Sequence, residues 1–469
     1  MTAFVWDEAQ VGKKGIAGQS TAAWQARAFA IDSRRIEKGA MFVALQGRNH
    51  DGHAFLAQAQ QKGARCAMVT HVPTDAPKNM AYFIVDDCVK TLRALAVSAR
   101  QRSQAFVCAV TGSVGKTTGK EFIARALAVQ GTAGVYSSQG NWNNALGVSL
   151  ALAGLPEHAS YGVFELGMNH AGEIRELSAL VRPDMAVITR VSEAHSAHFN
   201  DVRDIARAKA EIFDGVDRSN GSVAVLCRDD DFYVLLRARA QEHGMRIVTF
   251  GRHKEADIRL DDYRQQGMVG QSTLSIENQT YRLSMAAVGE PYAMAACVAL
   301  GVVYGCGLSL SKAVQALEGA PAYAGRGSRD RVTLPDGGHI TVIDESYNAS
   351  PLSMQLALDT LAQEKTEGRR IAVLGDMLEL KEARDRHRQL GAHVASRDID
   401  MVYVVGDAMQ SLYDVLPSAL RGGAFSEVGD LACVLCNDVR ANDVIMVKGS
   451  AGMRMSLVCD ALRALAGGS

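Results

Sequence analysis

The chain has 469 residues, of which 48% are hydrophobic and 22% charged, a balance typical of a folded globular protein. This length exceeds what one ordinary hydrophobic core can serve, so we expect two to four domains. The formal net charge of -1 excludes a general attraction to nucleic acid or to an anionic membrane, so local groups must hold any anionic ligand.

Neither export nor membrane insertion is predicted. The N-terminal residues lack a basic segment followed by an apolar run, so we expect no secretory signal. The uncharged stretch at residues 291–311 is interrupted by three glycines, and we interpret it as a buried helix and a turn. The nine cysteines include one C-x-x-C, Cys433 to Cys436, without a second pair for a zinc site. We therefore expect buried free thiols and a cytoplasmic location.

Three regions with different patterns follow one another, and we predict an α/β fold with domains at residues 1–103, 104–320 and 321–469. In the first region, residues 41–45 and 67–69 predict strands, and residues 54–62 and 89–100 predict helices. This region is therefore expected to form a small α/β unit.

The second region alternates apolar strands with helical patterns, which predicts βαβ units and a mostly parallel sheet. Its predicted strands are residues 106–110, 161–164, 184–188, 222–227 and 246–250, followed by an antiparallel addition at 272–276 and 281–285. The third region has four short apolar runs, each ending in polar or glycine residues, at 341–343, 371–374, 402–405 and 444–447. We predict a second doubly wound sheet there, with ligands at the carboxyl ends of its strands.

The most informative motif is TGSVGKTT at residues 111–118, between a predicted strand and a predicted helix. This is the layout of a P-loop, whose backbone N–H groups and helix N-terminus bind phosphate. Lys116 would place its charge on the β- and γ-phosphates, and Thr117 would offer a hydroxyl to Mg²⁺. The residue five before Gly115 is Val110, so the spacing is shorter than in the general motif. The predicted nucleotide-binding residues here are Thr111, Gly112, Ser113, Val114, Gly115, Lys116, Thr117 and Thr118.

Candidate metal ligands follow two other strands of the second region. Glu165 ends the strand at 161–164, where a carboxylate near a P-loop can ligate Mg²⁺; the alternative is a surface glutamate. His195 follows the strand at 184–188 at the same predicted sheet edge, where a metal or nucleotide role competes with a solvated loop histidine. Lys209 lies in a helical pattern, and the residues alone favour a solvated helix face for it.

Further polar groups are site-like by their position. Asn144 belongs to an amide-rich segment and could contact nucleotide or cap a helix. Asp344 and Asn348 follow a strand of the third region. Arg326 lies between two glycines, and Lys448 to Ser450 is a cationic segment among small residues; both suit anion binding.

Together these segments resemble the Mur ligase family over nearly the whole chain. The family-level features are the short loop at 111–118, Glu165, His195, Lys209 and Arg326. One branch, which ligates D-alanyl-D-alanine, is resembled more closely by GNWNN at 140–144, ELGMNH at 165–170, SYNASP at 346–351 and LGDMLEL at 374–380. In the first region, DSR at 32–34, FVALQG at 42–47 and DGH at 51–53 resemble the family's UDP-substrate module.

The resemblance implies three domains: a UDP-substrate domain, a central P-loop ATPase with a parallel sheet, and a C-terminal Rossmann-like domain. It implies that a peptide carboxylate of UDP-MurNAc-tripeptide takes the γ-phosphoryl group of ATP and forms an acyl phosphate. The amine of D-Ala-D-Ala then displaces phosphate, giving the pentapeptide precursor of peptidoglycan. We expect ATP and Mg²⁺ as cofactors and a monomer.

The resemblance also assigns roles to individual residues. Lys116 and Arg326 would supply cations, Thr117 and Glu165 would hold one Mg²⁺, and His195 would help to hold a second. Lys209 matches a family lysine that is carbamylated and can then ligate Mg²⁺, which reverses the solvated-face interpretation. Nucleotide contacts are assigned to Asn144, Asp344 and Asn348, and substrate contacts to Ser33, Arg34, Lys448 and Ser450.

Some positions depart from the family pattern. Pro291 and Tyr292 stand where a His-Asn pair is usual, Ser350 where Asn precedes proline, and Ala451 and Ser456 where Arg and Glu are customary. The nearest alternative is the branch that adds a diamino acid, whose Asp-Asn-Pro-Arg motif is absent here. A folylpolyglutamate synthase shares the ATPase but not the first region. An alternative of another class is a P-loop regulatory ATPase.

Overall fold

The structure is a computed structural model that describes residues 5–47, 50–131, 134–193, 196–217 and 221–467. Its N-terminal part contains a five-stranded sheet of order β2-β7-β6-β5-β4, parallel except for β2, and a short ladder of β1 and β3. The elements are β1 (Trp6–Asp7), α1 (Glu8–Lys13), β2 (Gln19–Ser20), β3 (Gln25–Ala26), β4 (Ala28–Ala30), β5 (Ala40–Val43), α2 (Leu56–Gln61), β6 (Cys66–Val69), β7 (Ala81–Ile84) and α3 (Cys88–Arg102).

The middle of the chain forms a nine-stranded sheet of order β16-β15-β14-β13-β12-β11-β8-β10-β9. Its elements are β8 (Phe106–Thr111), α4 (Lys116–Leu127), β9 (Val135–Ser137), α5 (Ala145–Ala153), β10 (Tyr161–Glu165), α6 (Glu173–Val181), β11 (Met185–Ile188), α7 (Val202–Ala210), β12 (Val223–Cys227), α8 (Tyr233–Glu242), β13 (Arg246–Gly251), β14 (Ile258–Gln266), β15 (Val269–Ile276), β16 (Gln279–Met285), α9 (Glu290–Gly305) and α10 (Leu310–Leu317).

The C-terminal part forms a six-stranded sheet of order β17-β18-β22-β19-β20-β21, parallel except for β17. Its elements are β17 (Ser328–Thr333), β18 (His339–Glu345), α11 (Pro351–Ala362), β19 (Arg370–Gly375), α12 (Ala383–Ala395), β20 (Met401–Val405), α13 (Met409–Tyr413), β21 (Arg421–Phe425), α14 (Val428–Asp438), β22 (Val444–Lys448) and α15 (Ser456–Ala464).

Burial explains why β8, β11 and β12 are continuous apolar runs. Helices cover both faces of a parallel sheet, so its central strands have no polar face. Side chains of these strands are divided between two core clusters, one on each side of the sheet. The predicted α/β class with parallel sheets is confirmed, and β14 to β16 provide the predicted antiparallel addition.

The sequence patterns missed strands that depart from apolar composition. β14 carries charged residues on a partly exposed surface, and β21 has two consecutive glycines, which are disfavoured in strands. The stretch interpreted as a buried helix is α9, which is largely buried. None of the helices in the described part of the chain has the length and apolar character needed to cross a membrane. All nine cysteines are free thiols, but the burial expected for Cys433 is wrong, because it lies on the exposed face of α14.

A buried histidine fixes the segment between β19 and α12. His387 Nε2 accepts a hydrogen bond from the Met377 N–H at 2.9 Å, and Nδ1 lies 2.6 Å from the Ala383 carbonyl, to which it donates. This pairing requires the neutral ring. Burial lowers the pKa of His387, and it outweighs the opposing effects of the Ala383 carbonyl and Asp376.

We expect His387 to make stability depend on pH. Below its ordinary pKa of 6.5 the unfolded chain binds a proton that the folded chain rejects, so the free energy of unfolding falls as pH drops. His387→Gln keeps a donor and an acceptor but does not titrate. Thermal unfolding at about pH 7.5 and pH 5.5 should show that wild type is more stable at the higher pH. The difference in stability between wild type and His387→Gln should be smaller at the lower pH. An unchanged gap would contradict this prediction.

Candidate active site

A cavity of about 390 Å³ lies between the nine-stranded and six-stranded sheets. Many of the candidate residues line it, although they are far apart in the sequence. The polar residues of its wall include Ser113, Lys116, Thr117, Thr118, Asn141, Asn143, Glu165, Lys209, Arg326, Glu345, Tyr347, Asn348, Lys448 and Ser450.

The loop after β8 has a backbone that requires glycine. Gly112 and Gly115 have φ angles of 153° and 81°. A Cβ atom on Gly112 would lie 1.9 Å from Thr189 Oγ1, so no larger residue fits there. Thr189 Oγ1 also donates to the Val114 carbonyl at 2.6 Å, which ties the loop to the neighbouring strand. Helix α4 begins at Lys116, and a helix N-terminus facing a cavity favours a bound anion.

Cationic side chains converge on this loop. Lys116 Nζ donates to the Gly112 carbonyl at 2.7 Å. Burial lowers the pKa of Lys116, Glu165 raises it in part, and the charge of Arg326 lowers it again. Lys209 is only 2% exposed, and burial followed by repulsion from Lys116 lowers its pKa well below the ordinary value. The charge of Lys116, which Arg326 repels, would be stabilised by a polyanion such as a triphosphate.

A chain of hydrogen bonds joins helix α4 to the end of strand β10. Thr117 Oγ1 donates to Glu165 Oε2 at 2.6 Å and accepts from Arg326 Nη2 at 2.9 Å. Asn143 Nδ2 donates to the other oxygen, Glu165 Oε1, at 2.7 Å.

The hydroxyl and carboxylate oxygens of Thr117 and Glu165 suit Mg²⁺, which prefers oxygen ligands and shares its shell with phosphate and water. No cluster of three or more His, Cys, Asp or Glu residues in the described segments could hold a metal ion.

The six-stranded sheet contributes the opposite wall of the cavity. Glu345 and Lys448 are register partners at the ends of β18 and β22. Lys448 Nζ donates to Glu345 Oε2 at 3.1 Å and to the Asn348 carbonyl at 3.0 Å. Ser450 Oγ accepts from the Leu378 N–H at 2.8 Å. Lys448, Ser450 and Asn348 thus face the same cavity as the P-loop.

Other candidates lie away from the cavity wall. Asp344 Oδ2 accepts from Arg463 at 3.0 Å; burial raises its pKa, but hydrogen bonds from Ser346 and Arg463 outweigh this and lower it. Thr111 is buried below the loop. Ser33 donates to Gln58 at 2.5 Å, and the 77% exposed Arg34 side chain pairs with Asp32, both beside the five-stranded sheet. His195 lies outside the described residues.

The structure also shows polar residues that sequence reasoning did not select. Asn143, rather than its neighbour Asn144, contacts Glu165. Asn144 Oδ1 accepts from the Gly147 N–H at 2.9 Å and caps α5, the alternative considered from the sequence. Lys120, one helical turn after Lys116, is fully buried and donates to the Gly140 carbonyl at 3.1 Å. Its position on α4 is the only sequence signal for its burial.

The two adjacent asparagines should respond differently to substitution. Asn144→Ala removes a helix cap and should lower the free energy of unfolding by about 1 kcal/mol with little change in turnover. Asn143→Ala leaves Glu165 without one of its donors and should lower turnover about tenfold with little loss of stability. Denaturant unfolding and turnover measurements on both variants check this. If Asn144→Ala lowered turnover without destabilising the fold, the predicted nucleotide contact of Asn144 would be favoured instead.

Comparison with known proteins matches three family models to successive parts of the chain. The Mur ligase family catalytic domain matches residues 27–106, the Mur ligase middle domain residues 110–303, and the Mur ligase glutamate ligase domain residues 330–451. A UDP-N-acetylmuramoyl-tripeptide--D-alanyl-D-alanine ligase of Rickettsia prowazekii is 30% identical over 92% of this chain and 94% of its own.

Other relatives are similar over nearly the same length of chain. The ligase of that name from Bacillus subtilis is 31% identical over 91% of each chain. The crystal structure of MurF from Acinetobacter baumannii matches with a TM-score of 0.81 at 28% identity and covers 98% of both chains. The similarity therefore extends over the N-terminal, middle and C-terminal parts together.

Proposed function

Because the chain belongs to the Mur ligase family, we propose that it joins D-alanyl-D-alanine to UDP-N-acetylmuramoyl-tripeptide. It is an ATP-dependent, ADP-forming ligase, as its relatives are. The observation that carries the proposal is the shared cavity. Lys116 of the P-loop, Lys209 and Arg326 line it together with residues of the six-stranded sheet. The product would be the UDP-MurNAc-pentapeptide precursor of peptidoglycan.

The proposed reaction has two steps. A carboxylate oxygen of the tripeptide attacks the γ-phosphorus of ATP, the bond to the bridging oxygen breaks, and ADP and an acyl phosphate form. The amine nitrogen of D-Ala-D-Ala then attacks the acyl carbon, phosphate leaves with the C–O bond electrons, and the nitrogen loses a proton. Lys116 and Arg326 neutralise the charge on the transferring phosphoryl group, because phosphoryl transfer depends mainly on alignment and charge neutralisation.

Metal binding would use the oxygens already brought together. Thr117 and Glu165 would hold one Mg²⁺, and His195 would help to hold a second. The ion, when bound, neutralises phosphate charge. Lys209 would act as a carbamate: an amine must be neutral to add CO₂, and burial together with the charge of Lys116 favours its neutral form. The carbamate then offers an anionic oxygen where an ammonium would repel the ion.

The remaining roles are proposed from position and resemblance. Asn348 is assigned to nucleotide, Lys448 and Ser450 to the incoming dipeptide and phosphate, and Ser33 and Arg34 to the UDP substrate. The nucleotide contacts of Asn144 and Asp344 rest on resemblance alone, because in the structure Asn144 caps α5 and Asp344 pairs with Arg463. The domains at residues 1–103, 104–320 and 321–469, the monomeric state and the cytoplasmic location are proposed with them.

The function is tested by the dependence of phosphate release on both substrates. Purified protein with ATP and Mg²⁺ should release phosphate only when UDP-MurNAc-tripeptide and D-Ala-D-Ala are both present. D-Ala alone and a UDP-MurNAc-dipeptide with a diamino acid are the controls. Turnover with the diamino acid would favour the earlier step of the pathway, and turnover without either substrate would favour a regulatory ATPase.

A further inference from the structure

Arg326 reaches the P-loop from a linker rather than from a helix or strand. It lies between α10 and β17, and its Nη2 donates to Thr117 Oγ1 at 2.9 Å. A free arginine side chain loses considerable rotamer entropy when it is fixed, so a pre-positioned guanidinium needs partners that hold it. Thr117 provides only one hydrogen bond, and other contacts must determine where the charge lies.

The ring of Tyr347 supplies such a contact. Arg326 Cζ lies 3.9 Å from the centre of this ring, within the range of an attractive cation–π contact. The Tyr347 N–H donates to the Gly325 carbonyl at 3.0 Å, which ties the two backbone segments together beside the guanidinium. Burial raises the pKa of the Tyr347 hydroxyl, and the nearby charge of Arg326 opposes this rise. Tyr347 therefore contacts the linker through its backbone N–H and the guanidinium through its ring.

The backbone of Arg326 is held from a second direction. The Tyr292 hydroxyl donates to the Arg326 carbonyl. The centre of the Tyr292 ring lies 6.0 Å from the centre of the Phe122 ring, and Phe122 belongs to the P-loop helix α4. Tyr292 therefore connects the linker to the element that carries Lys116 and Thr117, while Tyr347 fixes the end of the side chain.

We propose that Tyr347 is a positioning residue whose aromatic face holds the Arg326 guanidinium against Thr117, ready for the phosphates of ATP. The inference rests on the proposed function because it takes Arg326 to contact the nucleotide. It concerns the ring and not the hydroxyl, since the negative face of the π-system attracts the cation. A phenylalanine at position 347 should therefore keep the Arg326 guanidinium in place, whereas an aliphatic residue should not.

The test measures binding of the non-hydrolysable ATP analogue AMP-PNP with Mg²⁺ by calorimetry. Tyr347→Leu should weaken binding about tenfold, whereas Tyr347→Phe should weaken it less than about threefold. In an Arg326→Ala background, Tyr347→Leu should change affinity less than about twofold, because the residue acts through Arg326. If the leucine variant does not fold, Tyr347→Met gives the same comparison.

The chain offers a matched control at another tyrosine–arginine contact. Arg421 Cζ lies 5.5 Å from the Tyr413 ring, outside the cavity wall, so Tyr413→Leu should bind AMP-PNP as wild type does. Two results would overturn the inference. One is an equal loss of AMP-PNP affinity for Tyr347→Phe and Tyr347→Leu, and the other is an undiminished loss for Tyr347→Leu in the Arg326→Ala background. Wild-type protein that binds AMP-PNP but ligates no D-Ala-D-Ala would instead overturn the proposed function, and the Tyr347 comparison would still be decisive.

Discussion

The Lys116→Ala variant is expected to lose turnover by about a thousandfold or more, because its cation would neutralise charge on the transferring phosphoryl group. Burial lowers the pKa of Lys116, so the folded state gains little from this charge in the absence of a ligand. The variant should therefore melt at the wild-type temperature or above it. Phosphate release at saturating substrates and thermal unfolding are the two measurements.

Lys90→Ala is the matched control for this prediction. Its side chain is 86% exposed on α3 and pairs with Asp87, so its loss should change neither turnover nor stability appreciably. If Lys116→Ala kept turnover within about tenfold of wild type, the phosphoryl-transfer role of Lys116 would be wrong.

The Lys209→Ala variant is expected to lose turnover about a hundredfold or more, since the carbamate would be lost as an anionic ligand. A small carboxylate such as formate or acetate should restore part of the rate by occupying the space left by the carbamate. ¹³C NMR in the presence of ¹³C-bicarbonate should show a carbamate signal in wild-type protein that is absent from the variant.

Arg207→Ala is the control on the same helix. Its side chain is 62% exposed and pairs with Asp204, so the variant should keep its turnover and its carbamate signal. Wild-type activity that is unaffected by removal of CO₂, together with an active Lys209→Ala variant, would refute the carbamate.

Two adjacent acidic residues at the end of β18 take different environments, which the sequence does not predict. Asp344 and Glu345 both follow the apolar run of β18, and successive side chains of a strand point to opposite faces. Glu345 faces the cavity with Lys448, whereas Asp344 pairs with Arg463. The sequence predicted polar groups at this strand end, but the face that each one takes depends on the sheet as a whole.

Lys209 shows the same limit on a helix. Its local pattern is compatible with a solvated face, and resemblance alone suggested otherwise. In the structure Lys209 is buried against the cavity, because the nine-stranded sheet and the P-loop occupy the space beside α7. Burial of a charged residue at this position is decided by distant elements and not by its neighbours in the chain.

The sequence by itself determined the α/β class, the parallel sheets and the phosphate-binding loop, because hydrophobic periodicity and glycine spacing are local properties of the chain. The order of its motifs also identified the family. Only the tertiary structure decided that Asn143 rather than Asn144 contacts Glu165, and that Tyr347 stacks on Arg326. These contacts join segments that lie on different elements, and their geometry depends on how the sheets pack together.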